Sequence, residues 1–182
     1  MFTGIQPSVW IGCLACYNSG RLVGDWYDAD TADLVTPEDL HGRPTSHEEL
    51  WVMDHDGFHG ALEGECSPSD AAELAEILGE VASYETAPFS VWLNRNSECV
   101  EPEQWIERFR EQFRGEFASE ADYARDWFED TAEPEQRELL RKNVWPFDSI
   151  DWQGAAFDLF VNSALDTEPA PMGHIYVFDY AE

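Results

Sequence analysis

The sequence predicts an α+β fold in which sheet-forming and helical segments occupy different parts of the chain. Strand-length apolar runs bounded by turn residues lie near both ends. Between them lie segments with helix-capping residues and apolar side chains at helical spacing. The 38 acidic residues, against 10 basic ones, are spread over the whole chain. An elongated shape would relieve their mutual repulsion, and 182 residues suffice for one ordinary domain or for two to three small ones.

The first predicted domain, residues 1–62, has the pattern of a small antiparallel sheet. Val9–Cys16 is a mostly apolar run, Tyr17–Gly20 is a turn cluster, and Arg21–Asp28 runs back, which together predict a β-hairpin. Glu49–Asp54 is the third predicted strand.

Two further features of the first domain follow from residue order. Thr36 followed by Pro37 predicts the start of a short helix that ends before Gly42. Strict alternation along the third strand would place Asp54 on the same face as Val52.

The second predicted domain, residues 63–115, is mainly helical. Ser67 and Asp70 have the spacing of a capping box and begin the clearest helix. A shorter helix is expected at Phe89–Asn94. A third helix opens at Glu101, carries an apolar stripe that includes Phe113, and ends at Gly115.

The third predicted domain, residues 116–182, combines helices with one strand. Ser119 is a second capping position. The periodicity predicts further helices over residues 135–142 and 149–163. Asp166–Gly173 has the composition of a Pro-rich linker, and His174–Tyr180 that of a final strand.

The formal net charge of −28 limits the classes of partner. Each third of the chain carries a net negative charge of 8 to 10, so no separate acidic tail explains the total. Direct binding to nucleic acid or to anionic membranes requires Lys and Arg, and the balance opposes both. A basic partner surface is favoured. On duplex DNA, 28 charges correspond to about 48 Å, or about 14 base pairs.

The cysteine pattern and the absence of a long apolar run predict a cytoplasmic protein without cofactors. No stretch approaches the ~20 apolar residues of a membrane span. Cys13 and Cys16 would lie on opposite faces of a continuous strand, which suits chelation poorly. Cys66 and Cys99 are distant and isolated. We therefore expect free thiols, with Cys13 and Cys16 as part of a buried core.

A second cluster leaves an enzymatic alternative open. Asp54, His55, Asp56 and His59 are a mixed His and carboxylate set that could bind a divalent metal for hydrolysis. The other interpretation is a strand end followed by a solvated turn at Gly57. No nucleophile elbow, phosphate loop or HExxH motif is present, and we expect no enzyme.

Two separated motifs carry a family resemblance. The first is Leu14-Ala15-x-Tyr17-Asn18-x-Gly20 with Gly24-x-Trp26 after it, and the second is His47–Phe58, HEELWVMDHDGF. In this order and spacing they resemble the N-terminal signature of the ArdA antirestriction proteins. The helix at Tyr123-Ala124, Ile150-Asp151-Trp152 and Phe157-Asp158-Leu159 are similar to that family's C-terminal third. Similarity over residues 63–115 is mostly compositional.

The resemblance implies a cytoplasmic DNA-mimic inhibitor of type I restriction–modification enzymes, encoded on mobile genetic elements. It implies an elongated α+β protein of three small domains that forms a homodimer through the C-terminal one. Carboxylates would then replace DNA phosphates in the basic groove of the enzyme, without chemistry. The candidate phosphate-mimicking acids are Asp25, Asp28, Asp30, Asp33, Glu48, Glu49, Asp54, Asp56, Glu73, Glu76, Glu80, Glu107, Glu111, Asp122, Asp126, Glu129 and Asp130.

Departures from the family pattern and one more alternative remain. Cys16 precedes Tyr17, His55 stands where an aromatic residue is usual, and a Pro-rich segment precedes the last strand. The chain could also be an acidic protein adapted to high salt that binds another basic partner. Its single lysine, Lys142, fits that alternative, whereas its many large aromatic residues and nine arginines fit it less well.

Overall fold

The computed structural model describes residues 6–181, which form two compact units. The first unit ends at Ile106 and the second begins at Glu107. Each unit contains helices and one three-stranded antiparallel sheet, which confirms the α+β class. The three-domain arrangement, with boundaries after residues 62 and 115, stays a prediction.

The first unit alternates short strands and helices before a helical second half. Its elements are β1 (Ser8–Cys13), α1 (Leu14–Asn18), β2 (Gly24–Asp28), a 3₁₀ segment (Ala29–Leu34), α2 (Pro37–His41), β3 (Leu50–Asp56), α3 (Pro68–Glu80), α4 (Thr86–Asn96) and a second 3₁₀ segment (Pro102–Gln104). Helix α5 (Trp105–Gln112) continues past the end of the unit.

The sheet of the first unit has the order β2-β1-β3 and one buried face. Val9, Ile11 and Val52 are fully buried on that face. The predicted hairpin is confirmed as an antiparallel pair, since Val9 pairs with Tyr27. Its bounds were wrong, because β1 ends at Cys13 and helix α1 takes the place of the strand end and turn.

A β-bulge next to Met53 changes the orientation of the end of β3. Ile11 pairs with Val52, while the preceding residue, Trp10, pairs with Asp54, so β3 has one extra residue there. The predicted alternation was therefore wrong for Asp54, which shares a face with Trp10 rather than with buried Val52. The bulge keeps this carboxylate out of the core.

Capping residues begin the helices where the sequence predicts. Thr36 and Ser67 both form capping boxes, with Asp39 and Asp70 respectively. Ser119 accepts a hydrogen bond from the backbone N–H of Asp122 at the start of the next helix. Each side chain satisfies an N–H group that has no partner within its helix, so these starts depend on local sequence alone.

The second unit packs helices beside a sheet of order β4-β6-β5. Its elements are β4 (Phe113–Phe117), α6 (Glu120–Thr131), α7 (Pro134–Lys142), a 3₁₀ segment (Phe147–Ser149), α8 (Trp152–Val161), β5 (Leu165–Pro169), a further 3₁₀ segment (Pro171–Gly173) and β6 (Ile175–Asp179). Phe109, Val177 and Phe178 are fully buried, and the rings of Phe109 and Phe113 stack with centroids 5.1 Å apart.

Two segments of the second unit were predicted wrongly. Phe113 and Gly115 belong to strand β4 rather than to the end of a helix, and the predicted linker Asp166–Gly173 contributes most of strand β5. Both strands pair with β6, which was predicted and is the central strand. Pairing with a distant strand outweighs the local conformational preference of these segments. That pairing partner is not visible in the sequence of the segment itself.

Gly24 lies where β2 approaches β1 closely, and Gly24→Ala should destabilise the first unit. A Cβ at this position would clash with the backbone oxygen of Ile11 and lie 2.6 Å from the Trp10 ring. Because a backbone atom cannot move aside cheaply, we expect a loss of about 1–3 kcal/mol in the free energy of unfolding. Urea denaturation measures it, with Ser69→Ala on the exposed start of α3 as the control. Equal stability of both variants would contradict this prediction.

The ion pair between Arg114 on β4 and Asp179 on β6 should make stability depend on pH. Its Nη2–Oδ2 distance is 2.9 Å. Burial would raise the pKa of Asp179, but hydrogen bonds from Arg114 and the Ala181 N–H, with the Arg114 charge, hold it below the usual value. The unfolded chain therefore binds the proton more readily, so this stabilisation is present above the unfolded pKa of ~3.9 and is lost as pH falls through the folded pKa.

We expect the stability difference between wild type and Asp179→Asn to shrink across that pH window. Urea denaturation from pH 7 downward measures the difference, with Asp158→Asn on α8 as the control. A difference that stays constant with pH would show that the charge of Asp179 has no stabilising part.

Candidate partner-binding surface

The outer face of the first sheet carries three of the predicted acids. On β1, Ser8 pairs with Asp28 of β2 on one side and with Asp56 of β3 on the other. Trp10 pairs with Asp54 of β3. All three carboxylate residues are exposed. Neighbouring strands lie about 4.8 Å apart, so Asp28 and Asp56 are separated by roughly 10 Å across β1. We call Asp28, Asp54 and Asp56 the sheet-face acids.

Backbone N–H groups orient several carboxylates of this unit. Oδ1 of Asp54 accepts a hydrogen bond from the N–H of His55, and Oδ1 of Asp56 from that of Gly57, both at 2.9 Å. Asp25 on β2 accepts the same kind of bond from the N–H of Trp26 at 2.9 Å. These hydrogen bonds hold each carboxylate in a defined orientation, which suits a surface that presents negative charges at fixed positions.

An open groove of about 430 Å³ lies beside the sheet-face acids. Trp10, Trp26 and Leu22 supply apolar lining, and Asp54 with Glu65 supplies carboxylates. Trp26 is 47% exposed and Leu22 is 72% exposed. This side of the first unit therefore combines negative charge with apolar side chains that a partner could contact.

A second set of acids follows helical periodicity in the first unit. Glu73, Glu76 and Glu80 recur at three- and four-residue spacing on α3, and all are exposed. Asp30 and Asp33, three residues apart in the 3₁₀ segment, are exposed while Ala29 and Ala32 are fully buried. Glu48 and Glu49 are exposed just before β3.

The acids of the second unit lie on two helices. Asp122, Asp126 and Asp130 recur every four residues on α6 and are exposed, whereas Tyr123 and Ala124 of that helix are buried. Glu107 and Glu111 are exposed on α5.

Arginines partly neutralise two of the predicted acids. Arg125 lies 3.3 Å from Glu129, which is half-buried, and Arg108 lies 3.3 Å from Glu111. Glu129 and Glu111 are thus weaker candidates than the sheet-face acids. Within each unit, the predicted acids lie on several different elements.

The side chains of the alternative hydrolase set do not converge in the described part of the chain. Asp54 and Asp56 are exposed, while His55 between them contacts Phe58 edge-on, with ring centroids 5.7 Å apart. His59 lies beyond the turn, with a φ of 53°. Residues 6–181 contain one metal-compatible group of His, Cys, Asp and Glu, and it is elsewhere.

That group is Cys13, Cys16, His41 and His47, whose ligand atoms all lie within 4.8 Å of one another. The two thiols were predicted as buried core residues, and both are only 1% exposed. The prediction that they lie on opposite faces was wrong, because β1 ends at Cys13 and α1 turns Cys16 back toward it. His41 and His47 were not among the predicted site residues, although their His-x₅-His spacing is typical of zinc ligands.

Comparison with known proteins identifies the family. The family model described as "Antirestriction protein (ArdA)" matches residues 9–170. The chain belongs to the ArdA antirestriction protein family. The resemblance predicted from the two N-terminal motifs is confirmed, and membership implies an antirestriction function.

Two further findings concern relatives and membranes. No curated protein matches this chain. Within residues 6–181, no helix combines the length and the apolar character that crossing a bilayer requires.

Proposed function

We propose that this ArdA protein is a DNA mimic that inhibits type I restriction–modification enzymes by occupying their DNA-binding groove. The main support is that 16 of the 17 predicted acids are exposed, whereas the other, Glu129, is half-buried. In the first unit they lie on strands, on helical segments and just before β3, and in the second unit they lie on two helices. Family membership supports the antirestriction part of this proposal.

The mechanism requires only competition between two anionic ligands. A DNA-binding groove is lined by Lys and Arg that neutralise phosphates and release counterions. Exposed carboxylates on rigid strands and helices can occupy the same cations, and their affinity should fall steeply with salt. Trp26 and Leu22 beside Asp54 would add apolar contact area, which charge alone does not supply.

A competition experiment tests the mechanism directly. The purified protein is titrated at fixed salt into a type I methyltransferase bound to a labelled duplex containing its target site. We expect stoichiometric displacement of the duplex, and weaker displacement as the salt concentration rises. A folded protein that leaves the duplex bound would show that its charge serves another partner.

Neutralising single acids should have little effect, because the acids act collectively. We expect Asp56→Asn to weaken displacement about twofold, since an exposed charge pair is worth about 0–1 kcal/mol and the middle of that range, about 0.5 kcal/mol, corresponds to roughly twofold in affinity. The triple variant Asp28→Asn/Asp54→Asn/Asp56→Asn should weaken displacement about tenfold, because three such losses together come to about 1.4 kcal/mol, which corresponds to tenfold in affinity.

The matched control is Glu98→Gln/Glu101→Gln/Glu103→Gln, which removes the same charge from exposed residues outside the predicted set. Equal losses in both triple variants would mean that net charge alone matters. Abolition by one Asp→Asn change, with the fold intact by circular dichroism, would favour a local site instead.

We also propose that the chain forms a homodimer through its C-terminal part. Support comes from helix α8, where Phe157 and Val161 lie four residues apart on one face and are 66% and 64% exposed. Large apolar side chains exposed together mark interaction surfaces.

Charges placed on this face should separate the subunits. We expect Phe157→Asp/Val161→Asp to convert a dimer into a monomer, because association would bury unpaired carboxylates. Sedimentation velocity measures the change. Leu34→Asp, at a 70% exposed position in the first unit, is the control. An unchanged dimer in the α8 variant would place the interface elsewhere.

A further inference from the structure

The Cys13, Cys16, His41 and His47 cluster joins four places in the first unit. Cys13 ends β1, Cys16 lies in α1, His41 ends α2, and His47 lies in the segment between α2 and β3. The Sγ of Cys13 is 3.1 Å from Nδ1 of His47, and the Sγ of Cys16 is 3.6 Å from the same nitrogen. Nε2 of His41 is 3.9 Å from the Sγ of Cys16.

These separations match the edges of a tetrahedral zinc site. With Zn–S of about 2.3 Å and Zn–N of about 2.0–2.1 Å, a tetrahedron places sulfur and nitrogen ligands about 3.5 Å apart. The three sulfur–nitrogen distances are distributed around that value. The two imidazole rings meet edge to face with centroids 5.0 Å apart, and the four ligand atoms all lie within 4.8 Å of one another.

The identity of the donors favours zinc over other metal ions. Two thiols and two imidazoles form a nitrogen and sulfur set, which Mg²⁺ and Ca²⁺ do not select. The cluster contains no carboxylate, although the chain has 38 acidic residues. Two thiolates would balance the charge of Zn²⁺, which suits a site where both cysteines are buried.

Sequence spacing and a neighbouring cation support the same assignment. Cys-x₂-Cys followed by His-x₅-His lies within the spacing of structural zinc sites. Nη2 of Arg21 is 3.8 Å from the Sγ of Cys16, where it can donate to a metal-bound thiolate.

We propose that Cys13, Cys16, His41 and His47 bind one Zn²⁺ ion as a closed structural site. Four protein ligands leave no open position for substrate, so the ion stabilises the fold and takes no part in chemistry. It fastens α1, α2 and the irregular residues 42–49 to the end of β1. Those residues lead directly into β3, which carries Asp54 and Asp56.

Metal analysis of the full-length wild-type protein tests the site first. The protein is purified under reducing conditions from zinc-supplemented cells and analysed by inductively coupled plasma mass spectrometry. We expect one equivalent of zinc per chain. After chelator treatment, added Co²⁺ should produce the intense visible absorption of tetrahedral cobalt together with thiolate-to-cobalt charge transfer.

Variants then identify the ligands. Cys16→Ser and His47→Ala should each lose bound zinc, while Cys99→Ser and His55→Ala, which change the same residue types outside the cluster, should keep it. Chelation should lower the unfolding temperature of the wild type and leave that of Cys16→Ser unchanged.

Three results would overturn the proposal. They are a reduced, folded wild-type protein that binds neither zinc nor cobalt, a Cys13–Cys16 disulfide in protein purified without oxidant, and an octahedral cobalt spectrum. The zinc and cobalt measurements on the wild-type protein test the proposal even if a variant fails to fold. Zinc content is also independent of duplex displacement, so failure of the DNA-mimic proposal would leave this one standing.

Discussion

Repulsion among carboxylates constrains where every element of this chain can place its side chains. With a net charge of −28, burying an acidic group would add a desolvation penalty to a fold that already carries excess charge. Among residues 6–181, the one buried polar residue is Ser90, whose hydroxyl bonds the carbonyl oxygens of Thr86 and Phe58. The acids therefore stay at the surface, and small cores rich in aromatic residues hold each unit together.

The same constraint connects the fold to the proposed function. The first sheet buries Val9, Ile11 and Val52 on one face, which leaves the other face for the sheet-face acids. A bulge of one residue at Met53 determines that Asp54 joins this surface. In the second unit, helix α6 is amphipathic in the same way, with Tyr123 buried on one face and aspartates exposed on the other. The acidic surface of each unit is thus a product of ordinary amphipathic strands and helices.

The proposed zinc site concerns the stability of the first unit rather than its surface charge. Residues 42–49 have no regular secondary structure, yet they position His47 and lead into β3. A metal ion bound at this cluster would hold such a segment in place without further apolar burial. The stabilising contribution of the cluster and the binding contribution of the acids can therefore be measured separately.

The amino-acid sequence was enough to predict the helix starts at Thr36, Ser67 and Ser119, the antiparallel pairing of β1 with β2, the surface position of most acids and the family. Those features depend on neighbouring residues, on periodicity or on motif order. Tertiary structure decided the rest. Strand β6 supplies hydrogen-bond partners to Phe113–Phe117 and to Leu165–Pro169, which makes both segments strands. Asp54 points outward because β3 carries an extra residue opposite β1. The fold also brings His41 and His47 to Cys13 and Cys16, across some 30 residues of chain. Such contacts depend on the closure of distant segments, which no local pattern of residues encodes.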